Sequence, residues 1–153
     1  MIDKKIEKVL KEMGFIVTEF QGTSMNPLLK CDRDRALIKT KKGRLKKYDV
    51  ALYRRSNGLY VMHRVYKVLN GSYVFWGDNQ TVLEYGVKDE DVLGVCVGYY
   101  QGRKYTEFAS SFKCKGYELI WCSSLTLRKF LNIFRRIYIK INRIFSKFNK
   151  KHR

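Results

Sequence analysis

From Phe15 to Tyr100 the chain alternates short apolar runs with glycine-bearing turns, a pattern that predicts strands. The runs fall at residues 15–20, 35–40, 49–54, 59–69, 73–76 and 92–100. Lys42-Gly43, Asn57-Gly58, Asn70-Gly71 and Gln101-Gly102 punctuate them. Asn-Gly supplies two residues that tolerate positive φ, so the second and third of these dipeptides predict tight hairpins. Before the first run, Ile6, Val9 and Leu10 recur at helical spacing over residues 4–13, and Gly14 stands where a helix C-cap is expected. The predicted body is mainly β: a coiled antiparallel, barrel-like sheet behind a short N-terminal helix.

From Leu125 onward the pattern changes, and apolar residues recur every three or four positions. Leu127, Phe130, Leu131, Phe134, Ile137, Tyr138, Ile141, Ile144, Phe145 and Phe148 form one stripe. Arg128, Lys129, Arg135, Arg136, Lys140, Arg143 and Lys147 lie mostly opposite it, and the segment holds no glycine, proline or acid. This predicts a C-terminal amphipathic helix. The chain therefore divides into a body of residues 1–112, with its core at 15–105, and a tail of residues 113–153.

Charge sharpens that division. The net charge is +18, and residues 113–153 carry 12 Lys or Arg against the single acid Glu118, a net of +11. The larger body carries only +7. A basic face without compensating acids calls for an anionic partner. A membrane interface fits best, with Arg128, Arg135, Arg136 and Arg143 toward headgroups and Phe130, Phe134, Ile137, Ile141 and Phe145 toward acyl chains. Nucleic acid is the weaker reading, because so many large apolar side chains oppose the basic face. The structural alternative is a stripe packed on the body. No apolar run approaches the ~20 residues needed to span a bilayer, and the charged start, Met1-Ile2-Asp3-Lys4-Lys5, does not read as a secretory signal. Four cysteines without C-x-x-C spacing and two histidines argue against zinc and for reduced thiols. The expectation is a cytoplasmic protein, peripherally membrane-associated through its tail, with no metal or cofactor.

Three short stretches carry the candidate chemistry. Gly22-Thr23-Ser24-Met25-Asn26-Pro27 contains the only proline, Val61-Met62-His63-Arg64-Val65 the only histidine before His152, and Gly77-Asp78-Asn79 an acid in a turn. A serine hydroxyl needs a neighbouring base to act as a nucleophile, and histidine titrates in the right range. An aspartate behind the imidazole would fix its tautomer. Backbone N–H groups beside Ser24 would hold the developing oxyanion, an effect of about 3–4 kcal/mol per donor. Each residue has a plain alternative: His63 a half-buried strand residue, and Asp78 an ordinary turn residue.

Taken in order, these stretches resemble the signal peptidase I and LexA-like serine peptidase superfamily, most closely its histidine-type archaeal and endoplasmic-reticulum branch. Ser24, Met25 and Pro27 match the nucleophile box. Cys31-Asp32, Tyr48-Asp49-Val50, His63-Arg64, Gly77-Asp78-Asn79 and Leu93-Gly94-x-Cys96 follow in family order. The resemblance implies Ser24 as nucleophile, His63 as base and Asp78 as third member. Glu84, or one of Asp89, Glu90 and Asp91, is the alternative acid. It implies an oxyanion and substrate zone of Gly22, Thr23, Met25, Arg64 and Asn79, and a peptide bound extended along a sheet edge. Small residues near the cut would suit the family's pockets. The chain departs from the pattern at Gly22, where a hydroxyl residue is common, and at Cys31 and Tyr48, where glycine is usual. The implied function is an endopeptidase acting on a precursor or leader peptide, with activity rising through pH 6–7. The alternatives are a non-catalytic leader- or membrane-binding relative, or a LexA-like DNA-associated peptidase.

Overall fold

Eight antiparallel strands build one open sheet, flanked by a helix at either end of the described chain. The structure is a computed structural model, described for residues 2–121 and for residues 130, 133, 134, 137, 138, 141 and 142. Helix α1 (Ile2–Met13) ends where expected: Gly14 has φ +78 and donates its N–H to the Leu10 carbonyl at 3.0 Å. The strands are β1 (Phe15–Thr18), β2 (Asp34–Thr40), β3 (Val50–Arg54), β4 (Tyr60–Leu69), β5 (Ser72–Trp76), β6 (Glu84–Lys88), β7 (Val92–Gln101) and β8 (Lys104–Glu107). Helix α2 (Phe112–Trp121) follows them.

The sheet runs β1-β2-β7-β3-β4-β5-β6, and β8 pairs with the far end of β7. It is coiled rather than closed, so the barrel-like expectation holds for the strands and not for closure. Two strands go beyond the sequence reading, β6 and β8, and α2 starts ahead of the helical period read from Leu125.

Alternation on β3 sorts two apolar cores onto the two faces. Val50 and Leu52 join Met25, Leu28, Leu29, Ile38, Met62 and Cys96 on one side. Ala51 and Tyr53 join Val65, Tyr73, Phe75 and Val87 on the other. The close approach of β2 and β7 explains Gly94, since a Cβ there would stand 2.6 Å from the Lys39 carbonyl oxygen. Tyr48, in the turn before β3, takes φ +78, the left-handed region that glycine favours.

The site side chains depend on β4. Its second half, from Arg64 onward, pairs with β5, whereas Tyr60 to His63 pair with β3 only. That stretch therefore offers an open edge. Cys114 of α2 is fully buried in the first core, so the first turns of the predicted tail pack on the body. Among the described residues, no helix is long and apolar enough to cross a membrane.

Candidate active site

Ser24 lies in the loop between β1 and β2, where the chain cannot continue a strand past Gly22 (φ +85) and the cis Asn26–Pro27 bond. Met25, Leu28 and Leu29 are buried immediately after it. Each such side chain contributes about 1.5–3 kcal/mol on burial, so the loop is nailed down beside a half-exposed serine. Asn26 N–H donates to the Thr23 carbonyl at 3.1 Å and Leu29 N–H to the Met25 carbonyl at 3.0 Å, closing two successive turns. The N–H groups of Ser24 and Met25 carry no hydrogen bond among the described residues, as an oxyanion hole requires. Gly22 and Thr23 are exposed.

Ser24 and His63 line the same cavity of ≈ 710 Å³. Its floor is apolar, from Met25, Ile38, Leu52 and Met62, and Phe20 and Tyr60 also face it. The open edge of β4 from Tyr60 to His63 forms one wall, and the segment from Thr18 to Gln21 forms another.

His63 is 2% exposed. Its Nδ1 lies 3.1 Å from the Tyr53 hydroxyl and 3.7 Å from Glu84 Oε2. Tyr53 donates to Glu84 Oε2 at 2.7 Å, and Arg55 donates to both Glu84 oxygens at 2.7 Å. Strand register explains the grouping: Ala51 opposes His63, so Tyr53 is its diagonal neighbour on the same face. Burial lowers the His63 pKa to about 4, opposed by the Glu84 charge and reinforced by Arg55. Burial alone would raise Glu84, but the hydrogen bonds from Arg55 and Tyr53 outweigh it and hold the carboxyl below its usual range. Burial and the hydrogen bond to Glu84 push the Tyr53 phenol well above its ordinary value.

Asp78 stands elsewhere than behind the imidazole Nδ1. Its two oxygens accept from Nε and Nη2 of Arg64, each at 2.9 Å, in a fully buried pair. Its nearness to His63 is felt as charge. The acid that reaches the Nδ1 side is Glu84, the alternative read from the sequence. Neighbouring Asn79 donates its N–H to the Ser24 carbonyl at 2.6 Å, so the Gly-Asp-Asn turn supports the serine loop directly. Arg64 also donates from Nη1 to the Tyr48 carbonyl at 3.0 Å and to Glu118 of α2 at 3.2 Å. It is thus a structural hub rather than a wall of that cavity.

The other acids are remote in role. Asp89 accepts from Lys41 and Tyr73, Glu90 lies 3.5 Å from the Lys88 ammonium, and Asp91 accepts the Lys88 N–H at 2.9 Å. Tyr53 and Arg55 escaped the sequence reading because a tyrosine in an apolar strand reads as core. Only strand register brings it to the histidine.

Of the tail residues, Phe130, Phe134, Ile137 and Ile141 are helical and exposed. Arg128, Arg135, Arg136, Arg143 and Phe145 lie outside the described residues. Among the described residues there is no group of three or more histidine, cysteine or acidic side chains placed to hold a metal. Cys31, Cys96 and Cys114 are free thiols, with burial pushing Cys96 up to about 12. No family model, curated protein or solved structure matches the chain.

Proposed function

We propose that this chain is a serine endopeptidase that cuts a precursor or leader peptide, with Ser24 as nucleophile, His63 as general base and Glu84 as the carboxylate behind the base. The observation that carries this reading is the shared cavity: Ser24 and His63 open onto one apolar cleft, and His63 Nδ1 is committed on its far side to Tyr53 and Glu84. Nε2 is then the nitrogen left for the serine hydroxyl.

The chemistry follows from that division. Ser24 Oγ attacks the scissile carbonyl carbon while its proton passes to His63 Nε2. The N–H groups of Ser24 and Met25 stabilise the oxyanion. The C–N bond breaks as His63 returns the proton to the leaving amine. Water then attacks the acyl ester through the same base, releasing the acid and restoring Ser24. An extended peptide would pair with the open β4 edge between Tyr60 and His63. The floor of Met25, Ile38, Leu52 and Met62 favours apolar side chains beside the cut and has room for larger ones than the small residues the resemblance implies.

The reading includes a place of action, the surface of an anionic membrane. Phe112 is 91% exposed and Leu119 72%, and Ile120 is exposed beside them on α2. Lys30, Arg33 and Lys113 edge a groove of ≈ 450 Å³ floored by Leu28 and Ile120. Phe130, Phe134, Ile137 and Ile141 are exposed as well, and the surplus of +11 over residues 113–153 supplies the attraction. Flotation with phosphatidylglycerol vesicles should retain the protein and zwitterionic vesicles should not; a gel shift with DNA in place of vesicle binding would replace this partner.

The deciding experiment is mass spectrometry of a peptide-library digest, with anionic vesicles present, comparing wild type with Ser24→Ala and His63→Ala. Cuts made by wild type alone support the peptidase. Identical digests from folded proteins reject it in favour of a peptide-binding module.

A further inference from the structure

The hydrogen-bond donors and acceptors around His63 favour one arrangement. Glu84 is ionised and can only accept, and Arg55 occupies both its oxygens. The Tyr53 hydroxyl has a single proton, and it is donated to Glu84 Oε2 at 2.7 Å. At 3.1 Å from His63 Nδ1 the same hydroxyl oxygen has only lone pairs left to offer. The bond between them therefore requires the proton on Nδ1. Burial keeps the ring neutral, so Nε2 then carries a lone pair.

We propose that Tyr53 is the positioning residue of the site: its hydroxyl, fixed by Glu84 and Arg55, locks His63 in the Nδ1–H tautomer, with Nε2 unprotonated toward the cavity. A carboxylate usually performs this task by direct contact. Here Glu84 acts through one intervening hydroxyl, because 3.7 Å separates it from Nδ1. Stacking of Tyr53 on Phe75, with centroids 4.4 Å apart, fixes the phenol ring and with it the position of the hydroxyl oxygen, so the ionised carboxylate at 2.7 Å remains its nearest acceptor. The charged groups facing the imidazole are Glu84 of β6, Arg55 just beyond β3, and Asp78 of the loop after β5. None of them offers Nδ1 a competing proton in the structure. The catalytic meaning of this lock rests on the proposed peptidase reading; the tautomer itself does not.

The test is nitrogen-15 NMR of the full chain labelled at histidine, at pH 7. His63 and His152 are the only two histidines, and His63→Asn assigns the signals. The expected wild-type spectrum has a protonated Nδ1 and a pyridine-like Nε2 at His63. Tyr53→Phe keeps the ring and its stacking while removing the hydroxyl. It should shift His63 toward the Nε2–H tautomer and lower kcat about tenfold to a hundredfold with KM nearly unchanged. Glu84→Gln, read the same way, serves if Tyr53→Phe does not fold, since an amide can donate to the hydroxyl and release the lock. A wild-type Nε2–H tautomer, or a Tyr53→Phe or Glu84→Gln spectrum unchanged from wild type, overturns the proposal. Absence of any Ser24-dependent cleavage with the expected tautomers would remove the peptidase reading and leave the lock standing.

Discussion

Arg64 grips Asp78 through both carboxylate oxygens at 2.9 Å, and both residues are buried. Arg64 follows His63 on β4, and Asp78 precedes Asn79, whose N–H holds the Ser24 carbonyl. The pair therefore ties the strand of His63 to the loop of Ser24. A bidentate guanidinium–carboxylate contact has a fixed geometry, so this tie positions the proposed base and nucleophile relative to one another.

The two acids near His63 should separate by phenotype. Asp78→Ala strands a buried guanidinium and should cost about 3–5 kcal/mol of stability. Glu84→Ala, on a part-exposed strand, should cost far less and still lower kcat severely. Thermal melts and turnover measured together check this. A stable Asp78→Ala enzyme without turnover, beside an active Glu84→Ala, would return the third catalytic position to Asp78.

The acid limb of activity should lie lower than an ordinary histidine predicts. With the His63 pKa lowered to about 4 by burial, kcat/KM should stay near its plateau at pH 6 and fall only toward pH 4. This replaces the rise through pH 6–7 expected from the sequence. A profile with its midpoint near 6.5 would show His63 to be better hydrated in solution.

The same shift makes stability depend on pH. The unfolded histidine titrates near 6.5 and the folded one near 4, so the unfolded chain binds more protons between those values. The contribution of His63 is present above about pH 6.5 and is lost as pH falls through that window, by an amount on the order of 3 kcal/mol. Urea titrations at pH 4.5 and 7.5 should show the unfolding free energy rising between the two by more in wild type than in His63→Asn, by most of this contribution.

Tyr48 holds a left-handed backbone that costs a side chain about 1–2 kcal/mol. Tyr48→Gly removes that cost but adds flexibility to the unfolded chain, so a net gain of about 0.5–1 kcal/mol is expected. Gly94→Ala runs the other way. Its Cβ would meet the Lys39 carbonyl oxygen and the Ile38 side chain, a loss of about 1–3 kcal/mol. Chemical denaturation of the two variants side by side checks both signs.

The body was legible wherever a strand is buried on at least one face along most of its length. The strands read at residues 35–40, 49–54, 59–69, 73–76 and 92–100 stand within one residue of β2, β3, β4, β5 and β7. Residues 15–20 hold a shorter β1. The strand β6 was silent because only Val87 of its five residues is buried and Gly86 sits at its centre with φ +77. The four-residue β8 is too short to carry a period. In α2, Gly116 and a single buried residue among the described side chains, Cys114, weaken the helical signature. Local wording singled out Ser24 and His63, which the structure brings to one cavity, and Glu84, which reaches the Nδ1 side of the ring. Tyr53 and Arg55 carried no such wording, because they meet His63 and Glu84 through register, and Asp78 is paired with Arg64, next to His63.

The change in charge at residue 113 is not a seam in the molecule. Glu118 of α2 closes over Arg64 from outside, while Cys114 plugs the first core. A chain cut at residue 112 would lose both, opening a hole beneath the serine loop and baring the cation that joins it to β4. Helix α2 is therefore a piece of the body, and the boundary that charge draws at residue 113 falls inside the fold rather than after it.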